Sequence, residues 1–433
     1  MVTQVAYNAL EPENPQEAPR EVRQESTIYR RLNEPTANRN VATLFGKITL
    51  MRRGYRDVDR DSSEPTIFPL ELQLGLVEGA TPALASKAAQ ALAEAGATQQ
   101  SVLQRLRDEH GVQWGVKKLR AVAEQISAAM TPLRCDHQAR QVVAWLRQAH
   151  DARGGNRPVL AMGRDGITLR TRPHRFSEVA TTGTLTVYDR KGQRLGTVYL
   201  AYTPELGQQT MTDQLTALLN EVLRLWDGPL PRLAYVTDAG DCEVQYFRRV
   251  LRNMRHPQTG ERLVWQWIVD YYHASERWHT MAAALFGEGR EAQAWARRMG
   301  KLLLKPNGPF RVLHAAAAMR SRRKMTKTAA AAFRTAYNYI KRRTKHMHYA
   351  QFRKFRLPIG SGVTEAACKM VFTQRLKLSG MIWGKVGAQW ILDLRVILVS
   401  GLWTQIYAAH LAVLDLKVPT PHTSAPLTRK KPR

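Results

Sequence analysis

Apolar and polar residues alternate between residues 42 and 56, where the sequence reads ATLFGKITLMRRGYR. Such a period of two is typical of a β-strand with one buried face, so this segment predicts a strand. A second short apolar segment, TIFPLELQLGL, follows a polar and acidic turn, and together they predict a small β module over residues 41–80. Residues 1–40 contain few large apolar side chains and many Pro, Glu, Asn and Arg, which predicts a disordered N-terminal segment.

Helical spacing replaces this alternation in residues 81–152. The segments PALASKAAQALAEAG, TQQSVLQRLRDEHG and VKKLRAVAEQISAAM repeat apolar residues at intervals of three and four, and Gly96 and Gly111 are typical helix stops. The second and third segments, joined by the short GVQW connection, predict a helix-turn-helix-like DNA-binding region. A linking helix is predicted over residues 136–152.

The exposed basic residues of that helix pair are the candidate DNA contacts: Lys117, Lys118 and Arg120. Helix pairs with short turns are also common in purely structural bundles, so this interpretation and a structural one both stay open.

A different pattern begins at residue 157, where short segments rich in β-branched and aromatic residues alternate with helical ones. Over residues 157–272 the order is strand, strand, strand, helix, strand, helix, strand. This order is that of an RNase H-like α/β core, in which three antiparallel strands are followed by parallel strands added through helices. Residues 157–272 are therefore predicted to form the first part of such a core.

The remainder of the chain is predicted to be helical. Residues 273–350 are basic and poor in Gly and Pro, which predicts an all-α insertion. Residues 351–412 predict C-terminal helices of the core, and residues 413–433 predict a flexible basic tail. The predicted fold class is thus α/β, with an RNase H-like catalytic core interrupted by an all-α insertion and preceded by a small β element and a helical region.

The net charge of the chain indicates which class of partner it binds. Hydrophobic residues make up 44% and charged residues 23% of the 433 residues, as in an ordinary folded protein, but the net charge is +29. So large an excess indicates a polyanionic partner, either nucleic acid or an anionic membrane surface. No apolar run is long enough to span a membrane, the N-terminus lacks the features of a signal peptide, and the three cysteines are far apart. We therefore expect a cytoplasmic protein that acts on nucleic acid.

Two aspartates lie in predicted strands, Asp165 inside one and followed by Gly166, and Asp238 at the end of another. Asp165 lies in VLAMGRDGITLR, and Asp238 ends LAYVTDAG just before a turn. Carboxylates at strand ends face the crevice above an α/β sheet, although Asp is also a common turn residue. Asp241 is a rival for the second position, and Asp189 is interpreted as a turn residue.

Glu365 is a carboxylate in basic surroundings. It is the only Asp or Glu between Ala292 and Leu392, a span that holds 22 Lys and Arg. A glutamate at a helix start is favoured by the helix dipole, so a surface position is one explanation. The other is that Glu365 converges with Asp165 and Asp238 on Mg²⁺ or Mn²⁺, two ions of which support phosphoryl transfer.

The segment WIVDYYHASERWH supplies a fourth candidate group. Asp270 ends a predicted strand and His273 follows three residues later at the start of a helix. An N-cap Asp with a helical His in the first turn explains the pair structurally. The functional alternative has His273 beside the metal or the scissile phosphate, paired with Glu276 one turn further along.

These motifs together resemble those of the DDE transposases of bacterial insertion sequences, on the branch allied to Mutator-type elements. The resemblance rests on the Asp-Gly pair at Asp165, on VTDAG with Asp238, on the Asp-x-x-His motif of Asp270 and His273, and on PIGSGVTEAACK with Glu365, continued by QRLKLSGMIW. Asp238 and Glu365 are 127 residues apart, which leaves room for a helical insertion. Relatives often carry a cysteine-based zinc element near the N-terminus, which this chain lacks.

The resemblance implies metal-dependent strand cleavage at the ends of a mobile element and strand transfer to target DNA. Water would be the first nucleophile and a freed 3′-hydroxyl the second, with two Mg²⁺ or Mn²⁺ ions held by Asp165, Asp238 and Glu365. The chain is then expected to act at the bacterial nucleoid as a homodimer or higher oligomer on the DNA ends. Two alternatives stay open: an RNase H-fold nuclease without strand transfer, and a catalytically inactive DNA-binding regulator.

The basic insertion supplies most of the candidate phosphate contacts, with a solvated helix face as the structural alternative. They are Arg320, Arg322, Arg323, Lys324, Lys327, Lys341, Arg342, Arg343 and Lys345. Arg375 and Lys377, after Glu365, are predicted to steady the scissile strand. Tyr337, Tyr339 and Trp383 are candidates either for stacking on unpaired bases or for the core.

Overall fold

The computed structural model describes residues 2–11, 17–59, 64–173, 177–414 and 420–421. The chain forms two compact units. The first consists of Met1–Arg134 with Gly401–Arg433, and the second of Cys135–Ser400. The predicted tail of residues 413–433 lies largely outside the described residues.

The first unit contains a four-stranded sheet with the order β3-β2-β1-β9. The strands are β1 (Glu21–Gln24), β2 (Thr27–Thr43), β3 (Gly46–Asp57) and β9 (Thr420–Pro421). The prediction that residues 1–40 are disordered is wrong for β1 and β2. β2 holds few large apolar side chains, but it pairs antiparallel with β3 in a hairpin that turns between Thr43 and Gly46, and this cross-strand pairing orders it.

Helices complete the first unit. They are α1 (Val2–Asn8), α2 (Pro69–Gln73), α3 (Pro82–Ala93), α4 (Gln99–His110), the first part of α5 (Val116–Asp151), and α16 (Trp403–Leu414). A capping box between Thr98 and Ser101 begins α4, and Gly111, with a φ of 63°, ends it. The third predicted helix and the linking helix are one continuous helix, α5, which contains the boundary between the units. The segment TIFPLELQLGL, predicted as a strand, contributes α2.

Residues 403–412 were predicted to belong to the catalytic core, and this prediction is wrong. In α16 the indole of Trp403 donates to Ser86 Oγ at 2.9 Å, and the Tyr407 hydroxyl donates to the carbonyl of Pro82 at 2.6 Å. Both partners belong to α3, so α16 packs within the first unit.

The second unit is built on a five-stranded mixed sheet with the order β6-β5-β4-β7-β8. The strands are β4 (Val159–Arg170), β5 (Ser177–Tyr188), β6 (Arg194–Tyr202), β7 (Arg232–Thr237) and β8 (Trp265–Val269). β4, β5 and β6 are antiparallel neighbours, whereas β7 and β8 add parallel strands beyond β4. Helices α6 (Gln209–Leu225) and α7 (Asp241–Arg249) make the connections. The predicted order of strands and helices is confirmed.

Residues 271–354 are helical, as predicted. The helices are α8 (Tyr271–Phe286), α9 (Arg290–Leu303), α10 (Gly308–Ser321), α11 (Lys327–Arg343) and α12 (Tyr349–Lys354). Their apolar faces include Trp278, Phe333 and Ile340, which belong to the same buried cluster as the sheet residues Val159 and Ile268. The helical region and the sheet therefore share one core.

A short helix, α13 (Gly362–Cys368), lies across β4 and β5. Its approach is close because Gly163 on β4 has no side chain: a Cβ there would overlap Thr364 Oγ1 and lie 2.8 Å from Thr184 Oγ1. Thr364 and Thr184 instead hydrogen bond to each other at 2.9 Å. A π-helical segment (Lys369–Thr373), α14 (Gln374–Leu376) and α15 (Lys385–Val399) follow.

No single helix in the described residues is both long and apolar enough to cross a membrane; only α15 and α16, counted together across a sharp bend, reach that length and composition.

The close packing of α13 on β4 at Gly163 leads to a prediction about stability. Gly163→Ala is expected to lower the free energy of unfolding by about 1–3 kcal/mol, because α13 must shift to admit the methyl group. Urea unfolding measures this difference. Gly362→Ala is the matched control, since a Cβ at Gly362 meets nothing within 4 Å. An equal effect of the two substitutions would contradict the close packing of α13 on β4.

Candidate metal centre

Asp270 connects three elements of the second unit. It lies between β8 and α8 with 0% of its surface exposed, and its Oδ1 accepts hydrogen bonds from the backbone amides of Tyr272 and His273 at 2.5 and 3.1 Å. Its Oδ2 accepts from the backbone amide of Ser361 at 2.5 Å and from the Ser361 hydroxyl, just before α13. Burial raises the pKa of Asp270, but the hydrogen bonds from His273 and Ser361 outweigh it and lower the pKa to about 2. The predicted N-cap is confirmed.

His273 lies between two carboxylates. Its Nδ1 is 3.6 Å from Glu365 Oε1 and 3.9 Å from Asp270 Oδ2. The ion pair with Asp270 raises the pKa of His273 to about 9, against the opposing effect of burial and with help from the charges of Asp238 and Glu365. His273 is therefore an imidazolium at neutral pH. Glu276, the predicted partner, is exposed, and the carboxylates beside His273 are Asp270 and Glu365 instead.

Glu365 projects from α13 with its side chain 46% exposed. The Ser361 hydroxyl lies 2.7 Å from Glu365 Oε1 and also within hydrogen-bond distance of Asp270 Oδ2. Because a hydroxyl has one proton, Ser361 can donate to only one of the two carboxylates at a time. Ser361 therefore joins the helix that carries Glu365 to the buried Asp270.

Asp165 lies on β4 beneath α13. Its Oδ1 accepts from the Gly166 amide at 2.7 Å, and its Oδ2 accepts from Cys368 Sγ at 3.4 Å. Cys368 follows Glu365 by three residues in α13, so both side chains face the same side of that helix. Burial raises the pKa of Asp165, and the negative charge of Asp238 adds to the rise. Asp165 and Glu365 are thus connected through one turn of α13.

Asp238 follows β7 directly, next to Asp165. The parallel pairing of β4 and β7 ends with Gly163 opposite Val236, and each aspartate lies two residues beyond this pair. Neighbouring strands are about 4.8 Å apart, so Asp165, within β4, and Asp238, directly after β7, lie close to each other. Asp238 Oδ1 accepts from the Gly240 amide at 2.9 Å.

Glu243 is a site residue that the sequence prediction missed. It lies on α7 and is only 7% exposed, whereas Asp241, the rival candidate, is exposed on the first turn of the same helix. Burial raises the pKa of Glu243 to about 7, and the charges of Asp238 and Asp165 contribute. The signal available in the sequence was a glutamate three residues before Tyr246 on the buried face of α7.

The chemistry of this donor set fits a divalent cation. In the described part of the chain, the candidate ligand atoms of Asp270, His273 and Glu365 all lie within 4.8 Å of one another, but His273 could ligate a cation only after losing its proton. Asp165 and Asp238 lie outside that trio, but they are close enough for their negative charges to repel each other. A bound cation would reduce this repulsion. Carboxylate oxygens are the ligands that Mg²⁺ and Mn²⁺ prefer. The predicted ligand set of Asp165, Asp238 and Glu365 stays a prediction.

No protein-family model matches this chain, and no curated protein does. The function is therefore inferred from the geometry of these side chains.

The predicted DNA-contacting cations divide into two groups. The exposed ones are Lys117, Arg120, Arg322, Lys324, Lys327, Lys341, Arg342, Lys345 and Lys377. Others are partly buried, and several make contacts within the protein. Arg323 pairs with Glu291 at 2.7 Å and lies over Phe286, Arg320 donates to the carbonyl of Arg323, and Lys118 lies over Trp114.

The prediction that Arg375 steadies a DNA strand is wrong for the structure described. Arg375 is 1% exposed and its guanidinium lies 5.2 Å from the ring centroid of Trp383. Burial and the charge of Arg395 lower the pKa of Arg375 to about 10. Trp383 in turn donates to the carbonyl of Leu376 at 2.9 Å, so this part of QRLKLSGMIW packs internally. Tyr337 stacks on Phe333 and is partly buried.

The raised pKa of His273 generates a prediction about pH. Its usual pKa is 6.5, so its ion pairing stabilises the fold fully below about pH 6.5, and this contribution is lost as the pH rises through about 9. The stability lost in His273→Ala should therefore be larger at about pH 6 than at about pH 9.5. The imidazole is 37% exposed, so after solvent screening we expect a difference on the order of 1 kcal/mol.

Urea unfolding of wild type and variant at both pH values measures this difference. His279→Ala, an exposed position on the same helix, is the control and should show no such trend. A stability loss in His273→Ala that stays constant from pH 6 to 9.5 would disprove the ion pairing.

Proposed function

We propose that this chain is a DNA transposase of the DDE type with an RNase H-like catalytic core. It cleaves DNA strands at the ends of a mobile element and transfers the freed 3′-ends to target DNA by in-line phosphoryl transfer. The observation that carries the proposal is the placement of Asp165 on β4 and of Asp238 directly after its parallel neighbour β7, with Glu365 on the helix that packs across β4. Three carboxylates in this order above a mixed sheet suit a metal-dependent phosphoryl transferase.

The topology of the sheet supports the RNase H-like assignment. The three antiparallel strands β4, β5 and β6 come first in the chain, and the parallel strands β7 and β8 are added on the other side of β4. This is the arrangement expected of that fold. The helical region α8–α12 then enters between β8 and the helix of Glu365, as an insertion in the core.

Each group of the site has a role in this proposal. Asp165, Asp238 and Glu365 would hold Mg²⁺ or Mn²⁺, which when bound activates the attacking oxygen and stabilises the leaving oxygen. Asp270 holds His273 as an imidazolium beside Glu365. A cation there is suited to bind a phosphate oxygen or to donate a proton to the leaving 3′-oxygen.

The excess of positive charge supports a DNA substrate. Lys324, Lys341, Arg342 and Lys345 are exposed on or beside the helices of the insertion. In the described residues 293–391, Glu365 is the only acid, so few nearby carboxylates compete with DNA phosphates for these cations. Phosphate binding of this kind is independent of sequence and weakens as salt concentration rises.

Catalysis is expected to depend on the three carboxylates. Asp165→Ala, Asp238→Ala and Glu365→Gln should each reduce Mg²⁺-dependent cleavage of element ends by more than about 100-fold, because each removes a metal ligand and its charge. Binding of the same DNA should change little. Cleavage assays and gel-shift titrations measure the two effects, with the exposed Glu276→Gln as the matched control. Full activity in any of the three variants would overturn the assignment.

Strand transfer separates a transposase from a nuclease. Supplied with pre-cut ends that carry a free 3′-hydroxyl, the wild-type protein should join them to a target plasmid in the presence of Mg²⁺. Glu365→Gln should not. Cleavage without joined products would identify a nuclease, and Mn²⁺ binding that is independent of Glu365 would favour a DNA-binding regulator.

A further inference from the structure

The residue after Asp238 has an unusual backbone. Ala239 has a φ of 63°, a left-handed conformation that glycine adopts freely and alanine rarely does, and it is 3% exposed. A strained residue of this kind persists only where its surroundings hold it, and such residues concentrate at functional sites. Some part of the structure must therefore hold the loop after β7.

Two hydrogen bonds from α11 act on this loop. The Tyr339 hydroxyl donates to the carbonyl of Asp238 at 2.8 Å, and Arg343 Nη2 donates to the carbonyl of Ala239 at 3.2 Å. Both donors lie more than 100 residues away in sequence. Within the loop, the Ala239 amide donates to Thr237 Oγ1 at 3.2 Å. The backbone groups on both sides of the strained residue are thus bound.

The two donors are themselves held in place. Tyr339 and Arg343 are one turn apart on α11, and the Arg343 guanidinium lies 4.0 Å from the centroid of the Tyr339 ring. Arg277 lies 4.7 Å from the same centroid, and it follows His273 by one turn on α8. Cation–π contacts of this kind fix the orientation of a partly buried ring. Arg277, Tyr339 and Arg343 therefore connect α8, α11 and the loop of Asp238.

We propose that Tyr339 and Arg343 are positioning residues, which hold Asp238 and Ala239 in the strained conformation that keeps the Asp238 carboxylate beside Asp165. The helical insertion then has a second role besides binding DNA: its helix α11 sets the geometry of the metal site. This inference rests on the proposed function only for the claim that Asp238 is a metal ligand. The holding of the loop itself is independent of that claim.

Tyr339→Phe tests the proposal because it removes one hydroxyl and keeps the ring on which both arginines lie. The probe is Mn²⁺ alone, titrated into the full-length protein and followed by electron paramagnetic resonance. We expect an approximately 10-fold weaker Mn²⁺ affinity, as is usual when a group that orients a ligand is lost. Hydrogen exchange of residues 236–242 should become at least several-fold faster. Tyr337→Phe, the same change on the same helix, should alter neither.

Arg343→Gln provides a second variant with the same expected results, in case loss of the Tyr339 hydroxyl affects folding, which thermal unfolding of each variant reports. Wild-type Mn²⁺ affinity and wild-type exchange in either folded variant would overturn the proposal.

If Asp238→Ala leaves Mn²⁺ affinity unchanged, Asp238 is not a ligand and the proposed function fails. Faster loop exchange in Tyr339→Phe would still support the positioning role in that event.

Ala239→Gly distinguishes backbone positioning from a general packing effect. Glycine adopts the left-handed conformation without steric strain, so Ala239→Gly combined with Tyr339→Phe should recover a substantial part of the Mn²⁺ affinity lost in the single variant. If the double variant recovers nothing, Tyr339 does not act by holding the strained backbone, and this part of the proposal is wrong.

Discussion

The burial of the Asp270 carboxylate is the constraint on which the candidate site depends. A charged group with no exposed surface must be matched by donors, and Asp270 finds them at the start of α8 and at Ser361. Meeting that requirement brings β8, α8 and the segment before α13 together. His273 and Glu365 are then placed within ion-pair distance as a consequence. One buried charge thereby organises parts of the chain that are 91 residues apart.

The site combines two electrostatic arrangements. Asp165 on β4, Asp238 after β7 and Glu243 on α7 are near one another, so burial and repulsion raise the pKa values of Asp165 and Glu243. On the side of α8, the imidazolium of His273 neutralises the charge between Asp270 and Glu365. The first set attracts a cation, and the second already contains one. This asymmetry agrees with the proposal that the site binds metal on one side and a phosphate oxygen on the other.

Site residues could be predicted from the sequence where a local pattern marks them, and not where they depend on contacts between residues far apart in the chain. Asp238 and Asp270 could be predicted because each follows a strand or begins a helix, and Asp165 because it lies in a predicted strand and is followed by Gly166; these are local patterns. The order of the strands restricts which of them are neighbours, so the pairing of Asp165 with Asp238 also followed. Glu243 was missed because its spacing from Tyr246 is only a weak local signal, and its burial depends on which face of α7 packs on the sheet. The contact of Tyr339 with Asp238 spans 101 residues and has no local signal at all.

The net charge of +29 overstates the surface that is available for DNA. Part of the predicted phosphate-binding set has structural contacts instead: Arg323 joins Glu291 and Phe286, Arg343 holds the loop of Asp238, and Arg375 is buried against Trp383. Guanidinium groups serve both purposes because they donate several hydrogen bonds and also stack on aromatic rings. Composition counts all these cations equally, whereas only exposed ones release counterions when DNA binds. The salt dependence of the proposed DNA binding should therefore reflect the exposed cations alone.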